Sequence, residues 1–183
     1  MEILGYGEDA LSLHFLKNEA NMKKHLYLSK IETIFYRPSF GRGVSCYGEF
    51  DFIVGGISGN LKKVCLGESK WDGFGKYASI LIDEDQLERH SAFVKLILGE
   101  TKPPVDSELS TTFNDLVAKM KIDAKVIIDN FLIIFSFKDE KPIRLKNAKE
   151  KIDDHEFKKQ FGFEVIRLPY ENYLQNRFVP INK

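Results

Sequence analysis

Three strand-like segments separated by short glycine-containing turns constrain the fold more than any other part of the sequence. The segments 31–40 and 48–54 are rich in aromatic and β-branched residues, which favour strands, and Gly55 and Gly56 are predicted to end the second. The third segment, 63–71, follows a turn with the sequence Ser-Gly-Asn. Strands joined by turns this short pair with their neighbours in antiparallel fashion, so the sequence predicts a three-stranded meander.

The apolar residues outside these segments recur at helical spacing or form short runs. They predict helices over residues 8–26, 83–98, 113–120 and 146–161, and further strands over residues 131–137 and 163–168. This order is typical of an α/β fold in which one mixed sheet is flanked by helices. A chain of 183 residues suits one domain. We expect that domain to span residues 1–183, with its core in 1–140 and a helix–strand extension over 141–183.

Lysine plus arginine and aspartate plus glutamate each number 27, so the formal net charge is zero. Binding to nucleic acid would therefore depend on a local basic patch. No apolar run approaches the ~20 residues of a membrane span, and the first residues do not resemble a signal peptide. The sequence thus predicts a cytoplasmic protein with no membrane partner.

Cys46 and Cys65 lack zinc-site spacing, and we expect reduced thiols, with a disulfide between neighbouring strands as the alternative.

Charged residues interrupt two of the apolar strands. Because side chains alternate along a strand, Glu68 and Lys70 follow Val64 and Leu66 on one face of the third strand. Asp51 lies within the apolar second strand. A buried charge is costly unless it is paired or bound to a metal. One interpretation is an ordinary Glu68–Lys70 salt bridge at a sheet edge with Asp51 in a turn, and the other is a functional constellation.

The order of these residues resembles the motif of the PD-(D/E)XK nuclease superfamily, which has the restriction-endonuclease-like fold. The motif consists of a Gly-Glu-x-Asp run ending at Asp51, an apolar strand, a turn, a second apolar strand and then Glu68-Ser69-Lys70. The run 66–71 is also similar to a nuclease-like domain joined to some prokaryotic ATPases. Glu8 matches a glutamate near the start of the first helix in Holliday-junction resolvases. The resemblance is strongest over residues 1–98.

This resemblance implies a metal-dependent endonuclease that hydrolyses DNA phosphodiester bonds. Asp51, Glu68, Glu8 and the backbone carbonyl of Ser69 would bind Mg²⁺ or Mn²⁺, hard cations that take oxygen ligands. Lys70 would orient or deprotonate the attacking water and stabilise the transition state. The catalytic set is then Asp51, Glu68, Lys70 and Glu8. In the middle of the triplet, relatives usually carry a more apolar residue than Ser69, and no proline precedes Asp51.

Those two departures leave room for the alternative, a catalytically inactive nuclease-fold module that binds nucleic acid or a protein partner. In the active form, Gln86 on the following helix would contact the phosphate, and Arg42 and Lys76 would contact nucleic acid. The alternative is that Gln86 is a solvated helix residue and that Arg42 and Lys76 are ordinary surface charges. A homodimer is expected by analogy with relatives that cut two strands. The four histidines, including His90, show no metal-binding spacing and are interpreted as surface or core residues.

Overall fold

A five-stranded mixed sheet flanked by helices forms the centre of the computed structural model. The structure describes residues 4–5, 7–40, 47–72, 78–102, 108–122, 125–136, 141–169 and 179–180. The elements in chain order are β1 (Leu4–Gly5), α1 (Gly7–Lys17), α2 (Glu19–His25), β2 (Lys30–Tyr36), β3 (Phe52–Ser58), β4 (Leu61–Trp71), β5 (Ile80–Ile82), α3 (Glu84–Ile97), α4 (Glu108–Met120), β6 (Ile127–Ser136), β7 (Ile143–Leu145), α5 (Asp154–Phe161), β8 (Phe163–Pro169) and β9 (Val179–Pro180).

The main sheet has the strand order β2-β3-β4-β6-β8. Its first three strands are antiparallel, which confirms the predicted meander, and β4, β6 and β8 run parallel. Parallel pairing requires long crossover connections, which α3, α4 and α5 supply. Two small sheets, β1–β9 and β5–β7, were not predicted, because strands of two or three residues carry no recognisable alternation.

Apolar residues cover both faces of the sheet because the side chains of β4 alternate between them. Cys65 lies on the face that α1 and α2 cover, and Leu66 lies on the face that α3 and α4 cover. The first cluster includes Leu11, Phe15, Met22, Phe52 and Phe131, and the second includes Ile53, Phe93, Leu96 and Leu116. A third cluster joins β5, β7 and α5 to β6. The site described below lies where these clusters meet the end of β4.

Two predicted helices are shorter than the sequence suggested. The first breaks at Asn18, whose side chain accepts a hydrogen bond from the Asn21 amide and so caps a separate helix α2. The helix predicted over 146–161 begins only at Asp154, because Asp153 caps it and Ile152 instead pairs with Ile143 in an isolated bridge. Tertiary pairing therefore overrides a helical pattern in this region.

Strand β3 lies four residues later in the chain than the predicted second strand. Asp51 comes directly before it, and Gly55 and Gly56, which were predicted to end the strand, lie inside it. A Cβ on Gly56 would come within 2.3 Å of the Lys30 carbonyl oxygen. Glycine is thus required there by the close approach of β2, and it does not mark a turn.

The thiol of Cys65 is free and buried, and burial raises its pKa to about 12. Cys46, the partner in the alternative disulfide, lies outside the described residues. Within the described residues no helix has the length and apolar character needed to cross a membrane.

Candidate active site

The charged triplet at the end of β4 meets the start of α1. Glu68 and Lys70 share the face of Val64 and Leu66, as their spacing predicts, and Lys70 Nζ lies 2.5 Å from Glu68 Oε1. Glu8 is the second residue of α1, and its Oε1 lies 4.0 Å from the same ammonium nitrogen. The structure therefore brings two of the predicted catalytic carboxylates, those of Glu8 and Glu68, to the ammonium of a third predicted catalytic residue, Lys70.

Glu8 is held in place by the end of β4. Its Oε2 accepts a hydrogen bond of 2.9 Å from the backbone amide of Trp71. Burial raises the pKa of Glu8, the positive charge of Lys70 opposes that shift, and the negative charge of Asp51 adds to it. The carboxylates of Glu8 and Asp51 are thus close enough to repel each other through the site.

Asp51 enters the site from the chain before β3. Phe52 pairs with Gly67 across the two strands, which brings Asp51 alongside the end of β4. Its Oδ2 accepts a hydrogen bond of 2.6 Å from the backbone amide of Ser69. Burial raises the pKa of Asp51, against the lowering effects of this hydrogen bond and of Lys70. A charge-assisted hydrogen bond of this kind fixes the carboxylate next to the Glu68–Lys70 pair.

Glu68 is the most buried acid of the site, with 4% of its surface exposed. Its Oε1 accepts hydrogen bonds from Lys70 and from the side-chain amide of Gln86. Burial raises the pKa of Glu68 to about 7, with Lys70 opposing the shift and Asp51 adding to it. Burial also lowers the pKa of Lys70, but the surrounding carboxylates outweigh that effect and the net shift is upward. Lys70 is therefore charged at neutral pH, whereas Glu68 is close to its midpoint.

Helix α3 contributes two side chains to the site. Gln86 was predicted to contact a phosphate and here contacts Glu68, while His90 was interpreted only as a surface or core residue. His90 Nε2 lies 4.0 Å from Glu68 Oε2, and Nδ1 lies 3.1 Å from the Asn130 side-chain oxygen. Burial lowers the pKa of His90 to about 4, so its ring is neutral. Its spacing of four residues from Gln86 places both on one helix face, which is the sequence signal that could have identified it.

The donor types fit a hard divalent cation. Glu8 and Glu68 lie within 4.0 Å of the Lys70 ammonium, and Asp51 is bonded to the Ser69 amide between Glu68 and Lys70. Carboxylate oxygens are the ligands that Mg²⁺ and Mn²⁺ prefer. In the described part of the chain no three His, Cys, Asp or Glu side chains are already grouped around one cation position. The carboxylate oxygens instead accept hydrogen bonds from neighbouring N–H groups. Binding a cation would therefore require at least one carboxylate, that of Glu68 above all, to turn away from its present partners.

Arg42 and Lys76, the other two predicted nucleic-acid contacts, lie outside the described residues. No family model matches the chain, and no match was found among curated proteins or solved structures. What the site can do is therefore inferred from its own residues. A cluster of three acids and one lysine at a strand end suits the binding of a cation and the stabilisation of a negatively charged transition state.

Proposed function

We propose that the chain is a metal-dependent endonuclease that hydrolyses DNA phosphodiester bonds, built on a restriction-endonuclease-like fold. The observation that carries the proposal is the convergence of Glu8, Glu68 and Lys70 at the end of β4. The carboxylate of Asp51 accepts a hydrogen bond there from the backbone amide of Ser69. An ordinary surface salt bridge needs one acid and one base, and it does not explain three acids with upward-shifted pKa values around one lysine. Such perturbed groups are concentrated at functional sites.

In this proposal Glu8, Asp51, Glu68 and the backbone carbonyl of Ser69 would hold Mg²⁺ or Mn²⁺. When bound, the cation would lower the pKa of a water molecule and offset the charge of the phosphate. Lys70 would orient the attacking water and stabilise the negative charge that develops on the phosphate oxygens. Gln86, which now donates a hydrogen bond to Glu68, would release that carboxylate to the cation and donate to a phosphate oxygen instead.

One observation favours the second candidate, a non-catalytic nuclease-fold module. Glu68 is almost fully buried, and Lys70 and Gln86 both donate to its carboxylate, so the cluster is closed as it stands. An inactive relative would keep this closed arrangement as a structural ion pair and use other surfaces to bind nucleic acid or protein. The pairing of two copies stays a prediction of the sequence under either candidate.

Incubation of the purified protein with plasmid, four-way-junction and single-stranded DNA separates the two candidates. The nuclease proposal expects cleavage of at least one substrate in Mg²⁺ or Mn²⁺ and none in EDTA. Fragment lengths on a gel identify which structure is cut. Metal-independent cleavage would point to a contaminating activity, and DNA binding without any cleavage would favour the module.

The stabilising effect of Mn²⁺ should grow with pH, because protons and the cation compete for Glu68. Burial raises the pKa of this group from its ordinary value of 4.5 to about 7, so the folded state holds the proton more tightly. The contribution of this carboxyl group to the free energy of unfolding is fully present below about pH 4.5 and is lost as the pH rises through 7. Without metal, the group therefore lowers the free energy of unfolding by about 3 kcal/mol across this window.

Thermal melts with and without millimolar Mn²⁺, at pH 5 and at pH 8, measure the competition. We expect a clear rise in Tm at pH 8 and a much smaller one at pH 5. Glu68→Gln, which keeps the shape of the side chain, should remove most of both the pH dependence and the metal effect. Equal shifts at the two pH values, or none with no heat of metal binding, would count against a cation site at Glu68.

A further inference from the structure

A basic cavity of about 300 Å³ opens on the outer face of the β5–β7 pair, far along the chain from the acidic cluster. The register pairs Leu81 with Arg144, and both lie on this face, whereas Ile80 and Ile143 point into the core. Its lining consists of Ala78, Ser79, Leu81, Arg144, Lys149 and Lys151. We refer to it below as the basic cavity.

The three cations of the basic cavity are not neutralised by the described part of the chain. Arg144, Lys149 and Lys151 form no ion pair with a described residue, and the lining contains no carboxylate. With the residues that the structure describes, these three side chains form one hydrogen bond, a long one of 3.5 Å from Arg144 to the carbonyl of Ala148. Three positive charges without an ion-pair partner among the described residues, lining one concave surface, raise the local electrostatic potential and attract anions.

A chain of contacts relates the candidate active site to the β5–β7 pair, starting at the edge where the parallel strands end. Lys70 on β4, Ile134 on β6 and Arg167 on β8 are aligned by the register, so Lys70 and Arg167 lie two strand spacings apart. At ~4.8 Å per spacing this is about 10 Å. Arg167 then donates a hydrogen bond of 2.8 Å to the carbonyl of Lys141.

Lys141 links this edge to the basic cavity. Its ammonium lies 3.9 Å from the carboxylate of Asp72, two residues beyond Lys70, and the next residue, Pro142, accepts a hydrogen bond of 3.0 Å from the amide of Ile80. Ile80 follows Ser79, which lines the basic cavity. A second cavity of about 310 Å³, lined in part by Lys141 and Pro142, lies at this link. Asp153 and Asp154 also line this second cavity, and Arg167 pairs there with Asp154, so the unpaired cations lie in the basic cavity itself.

We propose that the basic cavity binds the phosphate backbone of DNA on one side of the bond that is cut, an inference that rests on the proposed nuclease function. Lys149 and Lys151 are exposed, which suits an extended polyanion. A small phosphate ligand is usually enclosed on most sides instead.

The test measures DNA binding separately from cleavage. The double variant Lys149→Glu/Lys151→Glu is compared with Lys24→Glu/Lys119→Glu, which changes the net charge equally through exposed lysines on α2 and α4. Fluorescence anisotropy with a labelled DNA duplex is recorded in EDTA over a range of KCl concentrations. We expect the cavity variant to bind at least about tenfold more weakly at low salt and its salt slope to fall by about 2, because two phosphate contacts are lost. The control variant should stay close to the wild type.

Cleavage in Mn²⁺ by the same proteins, and by Lys70→Ala, makes the two possible failures distinguishable. Weaker DNA binding by the cavity variant supports the inference even if no protein cuts DNA, in which case only the nuclease function fails. Equal binding by the cavity and control variants overturns the inference and leaves cleavage untouched. Absence of duplex binding by the wild type at low salt also overturns it. Saturable binding of inorganic phosphate by calorimetry, lost in the cavity variant while its DNA binding stays normal, would assign the cavity to a small phosphate ligand instead.

Discussion

Replacement of Lys70 by alanine should reduce DNA cleavage roughly 10²–10³-fold while leaving Mn²⁺ binding nearly intact. The ammonium stabilises charge that develops during the reaction, but an ammonium is not a metal ligand. Asp51→Ala should lose cleavage and most metal binding together, because it removes a proposed metal ligand. The carboxylate of Asp51 is held by the amide of Ser69, in the middle of the triplet. Gel assays of cleavage and calorimetry with Mn²⁺ on the same preparations measure the two properties.

The Lys70→Ala result is interpretable only if the variant folds. The change leaves the buried carboxylate of Glu68 without its cation, at a cost of about 1–3 kcal/mol, although Gln86 still donates to it. A melting curve checks that the cost stays in this range. Lys95→Ala, which removes an exposed lysine from α3, is the matched control and should cut DNA like the wild type. Equal cleavage by Lys70→Ala and the wild type would exclude this active site.

Gly67→Ala should destabilise the fold by about 3 kcal/mol or more, because it overfills a packed core. A Cβ at this position would lie 1.9 Å from the ring of Phe52, which is completely buried between the sheet and α1. Neither the ring nor the strand can move without disturbing the core. Since Glu68 follows directly, a shift of β4 would also separate it from Gln86, and cleavage should be lost with stability.

Gly55→Ala provides the matched control on the neighbouring strand. Its new Cβ would meet the flexible end of the Met120 side chain at 3.1 Å, which can move aside, so we expect a loss below about 1 kcal/mol. Urea unfolding of both variants gives the free energies, provided that the m-values stay unchanged. Equal losses in the two variants would show that the Gly67–Phe52 contact does not limit the packing of β4.

The parts of this fold that could be predicted are those encoded by neighbouring residues. The alternation along β4 places Glu68 and Lys70 on one face whatever the rest of the chain does, and short turns force the meander. The approach of Glu8 to Lys70 came from the family resemblance, because no local pattern relates residues so far apart. Asp51 was assigned to the correct pair of strands but lies just before β3 instead of within it.

The parts that could not be predicted depend on tertiary contacts. The glycine pair in β3 was interpreted as a turn, yet its lack of side chains allows close packing against β2 and α4. The segment before α5 has a helical pattern, but Ile152 pairs with Ile143. His90 enters the site only because α3 lies across Glu68, where the rings of Phe50 and Phe163 enclose the imidazole. The spacing of four residues from Gln86 predicts that the two side chains share a helix face, but not that this face packs against Glu68.

The tight turn between β3 and β4 also bears on the order in which the molecule folds. Ser58 pairs with Leu61, so this hairpin closes with almost no loss of loop entropy, and the Asp51–Ser69 contact spans only 18 residues. The Glu8–Trp71 contact spans 63 residues, and the parallel strands also join across long crossovers. Because contacts of short sequence separation form faster, we expect Asp51, Glu68 and Lys70 to come together early on the folding pathway. Glu8 then joins them when α1 docks, so the acidic cluster is completed late by the segment nearest the start of the chain.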